Sequence, residues 1–146
     1  FEKTIASSFM LSIDNAHADH PNHMEYTDKT TKVEMNKGIV IKYSANQKYT
    51  TDAVSGALFR TLCAKAGVPW QTFANRSDML GGSTLGNLSN AQVALNTVDI
   101  GLPQLAMHSC CETAGCEDTL SLVKAAALHF SSSVQSAGDG SYRMIF

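Results

Sequence analysis

The sequence predicts an α/β fold, a three-layer sandwich built around a mixed sheet. Short β-branched or aromatic runs at residues 8–13, 38–43, 70–74 and 96–100 alternate with stretches of helical period. That order is expected when helices cross between strands of one sheet. A polar string, Asp14, His17, Asp19, His20 and Asn22, follows the first run directly. Open α/β sheets place their sites on such loops, at the C-terminal ends of strands.

Taken in order, residues 8–13 read as a buried strand, and Pro21-Asn22 marks the turn that closes its polar loop. Residues 23–37 are polar without a clean period and are expected to wander over the surface. Residues 38–43 form a β-branched strand that ends in the polar turn 44–48. Thr51 and Asp52 are N-cap candidates for a helix on which Val54, Leu58, Leu62 and Ala66 recur at four-residue spacing. Gly67 closes that helix, with Pro69 just beyond it. A strand at 70–74, a helix from Ser83 or Thr84 to about Ala91, and a strand at 96–100 follow. The last helix, over 116–132, is expected to carry Leu120, Val123, Ala127 and Phe130 on one face. No repeat, low-complexity tract or linker precedes the terminal Ser-Ala-Gly-Asp-Gly segment at 136–140, so the chain is one domain or part of one.

A length of 146 residues suffices for one core, and a net charge of −2 leaves no footprint for nucleic acid or an anionic membrane. Nothing approaches the roughly 18 consecutive apolar residues of a membrane span. Phe1-Glu-Lys-Thr has no signal-peptide pattern and no initiator Met, so the first residue is not expected to be the native start. Cys110-Cys111-x4-Cys116 lacks the CxxC spacing of a zinc cluster, and with Cys63 these are expected to be free thiols of a cytoplasmic protein.

Imidazole and carboxylate together suit zinc, whereas a purely carboxylate cluster would suit magnesium or calcium. From residue type alone, Asp14, His17 and His20 are equally consistent with a polar loop, His108 with an ordinary histidine after an apolar run, and Lys42 with a solvated strand end. Gly81-Gly-Ser-Thr-Leu-Gly86 lacks the Gly-Lys-Ser/Thr ending of a phosphate loop.

The string Asp14-x-x-His17-x-x-His20-Pro21-Asn22 resembles the signature of aspartyl aminopeptidases, in the aminopeptidase I family of dizinc exopeptidases. Lys37-Gly-Ile-Val-Ile-Lys42, Gly82-Ser-Thr-Leu-Gly86 and Gly101-Leu-Pro-Gln-Leu-Ala-Met-His-Ser109 match the family in the same order. The resemblance runs from about Ser8 to Phe130. It implies that Asp14 binds one zinc and His108 the other, manganese or cobalt being possible substitutes. It further implies that Lys42 faces the acidic side chain of a peptide's first residue. His17, Gly82 and Ser83 would lie at the substrate, and His20 would orient a ligand. Removal of N-terminal Asp or Glu from peptides, and a homo-oligomer that is commonly a dodecamer, are implied as well. Asn75-Arg-Ser-Asp78 and Gly81 depart mildly from the family pattern of Arg-Asn-Asp and Cys.

The same resemblance requires an upstream His, a bridging Asp, a Glu-Glu pair that includes the general base, and a dimerisation insert. None has a counterpart here. Residues 1–146 are therefore expected to be the C-terminal portion of a zinc-peptidase catalytic domain, with no catalytic base of their own and no activity alone. Two alternatives stay open: an inactive peptidase-fold fragment or paralogue with a binding or assembly role, and a single-metal module using Asp14, His17 and His20.

Overall fold

The computed structural model describes all 146 residues. Its main sheet joins β1 (Phe9–Ile13), β3 (Ile39–Tyr43), β4 (Trp70–Ala74) and β5 (Asn96–Gly101) in the order β1-β5-β3-β4. β1 runs parallel to β5 and β3 parallel to β4, while β3 and β5 are antiparallel, so the sheet is mixed as expected. The two-residue alternation of strands then sorts the side chains onto two faces. Phe9, Ile39, Ile41, Val98 and Ile100 share one buried cluster with Leu58, Phe59, Leu62 and Cys63 of α2 (Ala53–Ala66) and Ala125 of α4 (Cys116–Phe130). The opposite face carries Ser12, Val40, Lys42 and Asp99, and α3 (Leu85–Gln92) lies over it, with Gly86 against Asp99 and Ser12.

Helix α2 forms where its caps predict. The Asp52 carboxylate accepts the Ser55 N–H at 2.7 Å, and the Ser55 hydroxyl accepts the Asp52 N–H at 2.9 Å. Gly67 ends the helix in the left-handed region at φ 65°. Gly38 is held by space as well as by φ: an added Cβ would lie 2.2 Å from the Pro69 carbonyl oxygen.

Helix α4 turns the face that carries Leu120, Val123, Ala127 and Phe130 to solvent. Leu120, Val123 and Phe130 are 57%, 59% and 87% exposed, and Ala127 faces out with them. The rotation is set by Asp118, which is buried and accepts the N–H groups of Asn36 at 2.6 Å and Gly38 at 2.8 Å. With that carboxylate pinned to the loop before β3, Leu122, Ala125 and Leu128 turn to the core instead.

Several elements carried no usable sequence signal. They are α1 (Glu2–Ile5), a 3-10 turn at Met24–Tyr26, and a small sheet of β2 (Ala16–His17), β6 (Pro103–Leu105) and β7 (Thr113–Ala114). The terminal segment is not a tail. β8 (Ser133–Gly138) and β9 (Ser141–Ile145) form an antiparallel hairpin, with Asp139 and Gly140 at φ 52° and 75° in its turn. Asp-Gly favours that turn because both central residues need positive φ. Val134 of the hairpin is buried in the main core.

Replacing Asp118 by Ala strands the buried Gly38 N–H and frees the more exposed Asn36 N–H, so Asp118→Ala should cost about 1–3 kcal/mol in urea unfolding. Asp118→Asn, which keeps one carbonyl acceptor, should cost less. Equal losses for the two variants would show that the side chain acts by packing alone.

Candidate active site

A row of side chains crosses the polar face of the sheet. Ser12 pairs with Asp99 and Lys42 with Phe73, and the antiparallel pairing of Ile41 with Ile100 sets Lys42 beside Asp99. Lys42 is only 2% exposed. Its ammonium donates to the carbonyl oxygens of Asp14 at 2.8 Å and Asn15 at 3.4 Å, lies 3.8 Å from the Asp14 carboxylate, and sits over the Tyr49 ring at 5.2 Å. Burial pulls the Lys42 pKa down, and the charges of Asp14 and Asp99 hold it up. Asp99 is fully buried. One of its oxygens accepts the N–H and hydroxyl of Thr50 at 2.6 and 2.7 Å, and the other has no partner.

Asp14 follows β1 directly, its N–H bonded to the Ile100 carbonyl at 3.0 Å and its carboxylate 57% exposed. The small sheet ties this loop to the one that carries His108. Ala16 and His17 pair with Pro103 and Gln104, and Asn15 donates from its side-chain amide to Gln104 at 2.5 Å. Beyond β6 the backbone turns through positive φ at Ala106 (55°) and His108 (68°), and the His108 N–H bonds to Glu112 at 2.6 Å. The exposed His108 thereby comes near His17. The His17 pKa is lowered first by burial and then by the charges of His108 and Lys42.

His20 has a different setting. Its Nδ1 accepts the Asn22 N–H at 3.2 Å, and its ring packs against His23, centroid to centroid 5.0 Å. With His17, His23, Tyr26 and Arg76 it lines a cavity of about 360 Å³. Arg76 is clamped to Asp78 by two hydrogen bonds and donates to the Glu25 carbonyl.

A second cleft, of about 610 Å³, runs along β1 to the start of α3 and is lined by Asp14 and Ser83 among others. The glycine segment approaches its neighbours closely at two places: an added Cβ at Gly81 would stand 2.1 Å from the Asn75 side-chain amide nitrogen, and one at Gly86 2.9 Å from both Asp99 oxygens and the Ser12 hydroxyl. At Gly82 an added Cβ meets nothing within 4 Å. The Thr84 hydroxyl beside it is buried without a partner.

The structure thus gathers Asp14, Lys42, His17 and His108 at one end of the sheet, with Ser83 on the adjoining cleft and His20 in the neighbouring cavity. Asp99, Asn15, Gln104 and Tyr49 were not singled out from sequence. Asp99 had a signal, a carboxylate inside the β-branched run Thr97-Val-Asp-Ile100. No group of three or more His, Cys, Asp or Glu side chains is placed to hold a metal ion. A single-metal module of Asp14, His17 and His20 is therefore not assembled, because the His20 ring is turned to Asn22 and His23. Asp14 and His108 amount to two donors, short of the three or four that zinc takes from protein. The four cysteines are free thiols, and burial pushes Cys63 up to about 12.

Residues 1–130 match the family model of the aminopeptidase I zinc metalloproteases (M18). A probable M18 family aminopeptidase 2 from Clostridium novyi is 48% identical over 118 residues, covering 81% of this chain and 27% of its own length. Among solved structures, yeast aminopeptidase 1 superposes with a TM-score of 0.79 at 30% identity, over 89% of this chain and 28% of that one. An aminopeptidase dodecamer from Saccharomyces cerevisiae gives the same TM-score of 0.79 and identity of 30%, with 89% and 28% covered. The chain spans under a third of the length of these relatives.

Two outcomes follow from this geometry. Gly86→Ala should destabilise the chain by about 1–3 kcal/mol through overpacking against Asp99, while Gly82→Ala should stay within about 0.5 kcal/mol. Equal effects in urea unfolding would place the tight approach elsewhere. The second concerns pH. Burial lowers the pKa of both His17 and His129 in the fold, so the unfolded chain binds more protons below the usual imidazole value of about 6.5. Stability should therefore fall as pH drops from about 6.5 through the lowered values. The double variant His17→Gln/His129→Gln should flatten that slope in thermal melts between about pH 7.5 and 5, and an unchanged slope would assign it to other groups.

Proposed function

The chain belongs to the aminopeptidase I zinc metalloprotease (M18) family, and from that premise we propose that it is part of a dizinc aminopeptidase that removes N-terminal acidic residues from peptides. The observation that carries this reading is the joint between two ligand-bearing loops. Asp14 and His108 reach the same end of the sheet, tied by the Asn15–Gln104 bond, with a buried ammonium beside the carboxylate. In this reading Asp14 and His108 each give one donor to a zinc centre. The remaining ligands and the general base come from polypeptide outside these 146 residues.

Lys42 supplies the preference for acidic residues. An ammonium held in a dry site and bonded on one side to the main chain of Asp14 and Asn15 can donate to a substrate carboxylate, whereas an apolar side chain would leave its charge unmatched. His17, its pKa lowered first by partial burial, and Ser83, on the cleft beside Asp14, contact the peptide. Gly82 keeps the loop before α3 open to it, and His20 steadies the cavity next to His17.

With two donors of its own, this chain by itself does not hydrolyse peptides. The placement of no third donor also favours a second reading, a peptidase-fold partner that serves in assembly without activity. By analogy with the yeast dodecamer we read the parent protein as a homo-oligomer, and its free thiols as those of a cytoplasmic protein.

The test joins this chain to the portion of the Clostridium novyi relative that it does not match. The product should bind zinc and release Asp from an Asp-peptide, and Asp14→Ala or His108→Ala should abolish release. Lys42→Met should reduce the preference for Asp over Leu by about 10- to 100-fold, the worth of one charged hydrogen bond. A folded, zinc-loaded product without activity would leave the assembly reading, and an unaltered preference in Lys42→Met would remove Lys42 from the specificity site.

A further inference from the structure

Two buried charges stand side by side on the α3 face without pairing. Lys42 of β3 and Asp99 of β5 are both buried, and the antiparallel register sets them opposite each other. Residues so placed have Cβ atoms about 4.5–5.5 Å apart, within reach of a direct ion pair. In a dry interior opposite charges attract far more strongly than in water. Yet the one ion pair of Lys42 is with the half-exposed carboxylate of Asp14, at 3.8 Å, and one Asp99 oxygen has no hydrogen-bond partner. Asp99 is enclosed by Ser12 of β1, Gly86 of α3 and Thr50, all within this chain. Its failure to pair is therefore a property of the local packing.

The Asp99 carboxylate is held elsewhere. Its other oxygen accepts the Thr50 N–H at 2.6 Å and the Thr50 hydroxyl at 2.7 Å. Thr51 grips the same residue by its main chain, accepting the Asp99 N–H at 2.8 Å. The segment that carries these groups is itself anchored. The Asn87 amide of α3 donates to the Lys48 carbonyl at 2.6 Å, the Lys48 ammonium donates to the Gly81 carbonyl at 2.7 Å, and Asp52 caps α2. Tyr49, the residue before Thr50, lays its ring over the Lys42 ammonium at 5.2 Å. One dipeptide, Tyr49-Thr50, thus touches both charges.

An ammonium has three donors. Those of Lys42 reach the main-chain carbonyls of Asp14 and Asn15, the second at a long 3.4 Å. These are dipoles rather than a counter-charge, and in the reading given above the Asp14 carboxylate turns to zinc. We propose that Thr50 is a positioning residue for Lys42: by taking the Asp99 carboxylate, it denies the buried ammonium an internal ion pair and keeps it free for the carboxylate of an acidic substrate residue. This rests on reading Lys42 as the acidic-side-chain contact. With Asp99 paired to Lys42, an incoming carboxylate would have to displace a buried charge already in place, and the preference would shrink.

Hydrogen-bond scalar couplings from the lysine Nζ, read by NMR on the isotope-labelled chain, test the geometry. The unsubstituted chain should show none between Lys42 Nζ and the Asp99 carboxylate carbon. Thr50→Val, which removes the hydroxyl and keeps the branched shape, should show one; Thr50→Ala serves where Thr50→Val does not fold. A coupling in the unsubstituted chain, or none in the folded variant, overturns the inference. The consequence is read in the chain joined to the unmatched portion of the Clostridium novyi relative. There Thr50→Val should lower the ratio of kcat/KM for an Asp-peptide over a Leu-peptide by about tenfold. Thr50→Ser, which keeps the hydroxyl, should preserve the ratio, and Thr50→Val/Asp99→Asn, with no charge left to pair, should restore it. A general loss of structure would lower both substrates alike and would not be mended by a second substitution. An unaltered ratio in Thr50→Val where Lys42→Met loses it overturns this inference and leaves the specificity reading standing. An unaltered ratio in Lys42→Met, or no activity in the joined form, removes that reading and this inference with it.

Discussion

The structure turns on one buried charge. Taking an ammonium out of water costs several kcal/mol even after the protein relaxes around it, and Lys42 is 2% exposed in the middle of a sheet. Its compensation comes from three directions. The carbonyl groups of Asp14 and Asn15 accept from it, Asp99 stands beside it on the next strand, and the Tyr49 ring lies against it. The Asp14 carboxylate, more than half exposed, offsets less than a buried partner would. Each of these contacts fixes a different part of the chain: the loop after β1, the registry of β3 against β5, and the approach to α2. The antiparallel β3–β5 pairing is the feature that makes this possible, since it sets Lys42 opposite Asp99 rather than opposite an apolar neighbour.

The two faces of the sheet are stabilised by different physics. On the α2/α4 face, twelve buried apolar residues form one cluster, so the hydrophobic effect dominates there, with Asp118 of α4 buried at its margin and bonded to the loop before β3. On the α3 face the apolar cluster is only Ala16, Val33 and Val40, and the rest is Lys42, Asp99, Ser12 and Thr84. There the structure depends on hydrogen-bond matching, and it is incomplete: one Asp99 oxygen and the Thr84 hydroxyl are buried without partners. Unsatisfied buried groups cost about 1–3 kcal/mol each. They concentrate on the face that carries the candidate site, which is where a fold gives up stability for function.

How much of this was legible follows from the range of each signal. Helix α2 was readable because its capping box, four-residue spacing and terminal glycine all lie within sixteen consecutive residues. The hairpin after α4 was missed although its Asp139-Gly140 turn is a local signal, because its strands, Ser133–Gly138 and Ser141–Ile145, are mostly polar and exposed. Which face of α4 meets the core was not legible for a different reason. Its apolar residues suit either of two stripes, and the choice is made by Asp118 bonding to Asn36 and Gly38, some eighty residues away. Strands of two or three residues, such as β2 and β7, are too short to show any period.

The candidate site divides in the same way. Asp14, His108 and Lys42 were nameable because each sits in a string that resembles the family's, whereas the end of an apolar run by itself pointed Lys42 to solvent. What no string contains is the joint that brings them together. It consists of Asn15 bonded to Gln104, β2 paired with β6, and a backbone that passes through positive φ at both Ala106 and His108. A non-glycine residue in that region is held there at a cost of about 1–3 kcal/mol, so the surrounding contacts must over-determine the turn. The Glu112 carboxylate does so by taking the His108 N–H, which fixes the main chain and leaves the imidazole exposed. An imidazole presented on a braced turn, next to a carboxylate loop braced by a buried ammonium, is an arrangement in which the supporting groups set the geometry before any ligand arrives. The preorganisation therefore resides in Lys42, Asn15, Gln104 and Glu112, and the Asp14 and His108 loops are what those four hold in place.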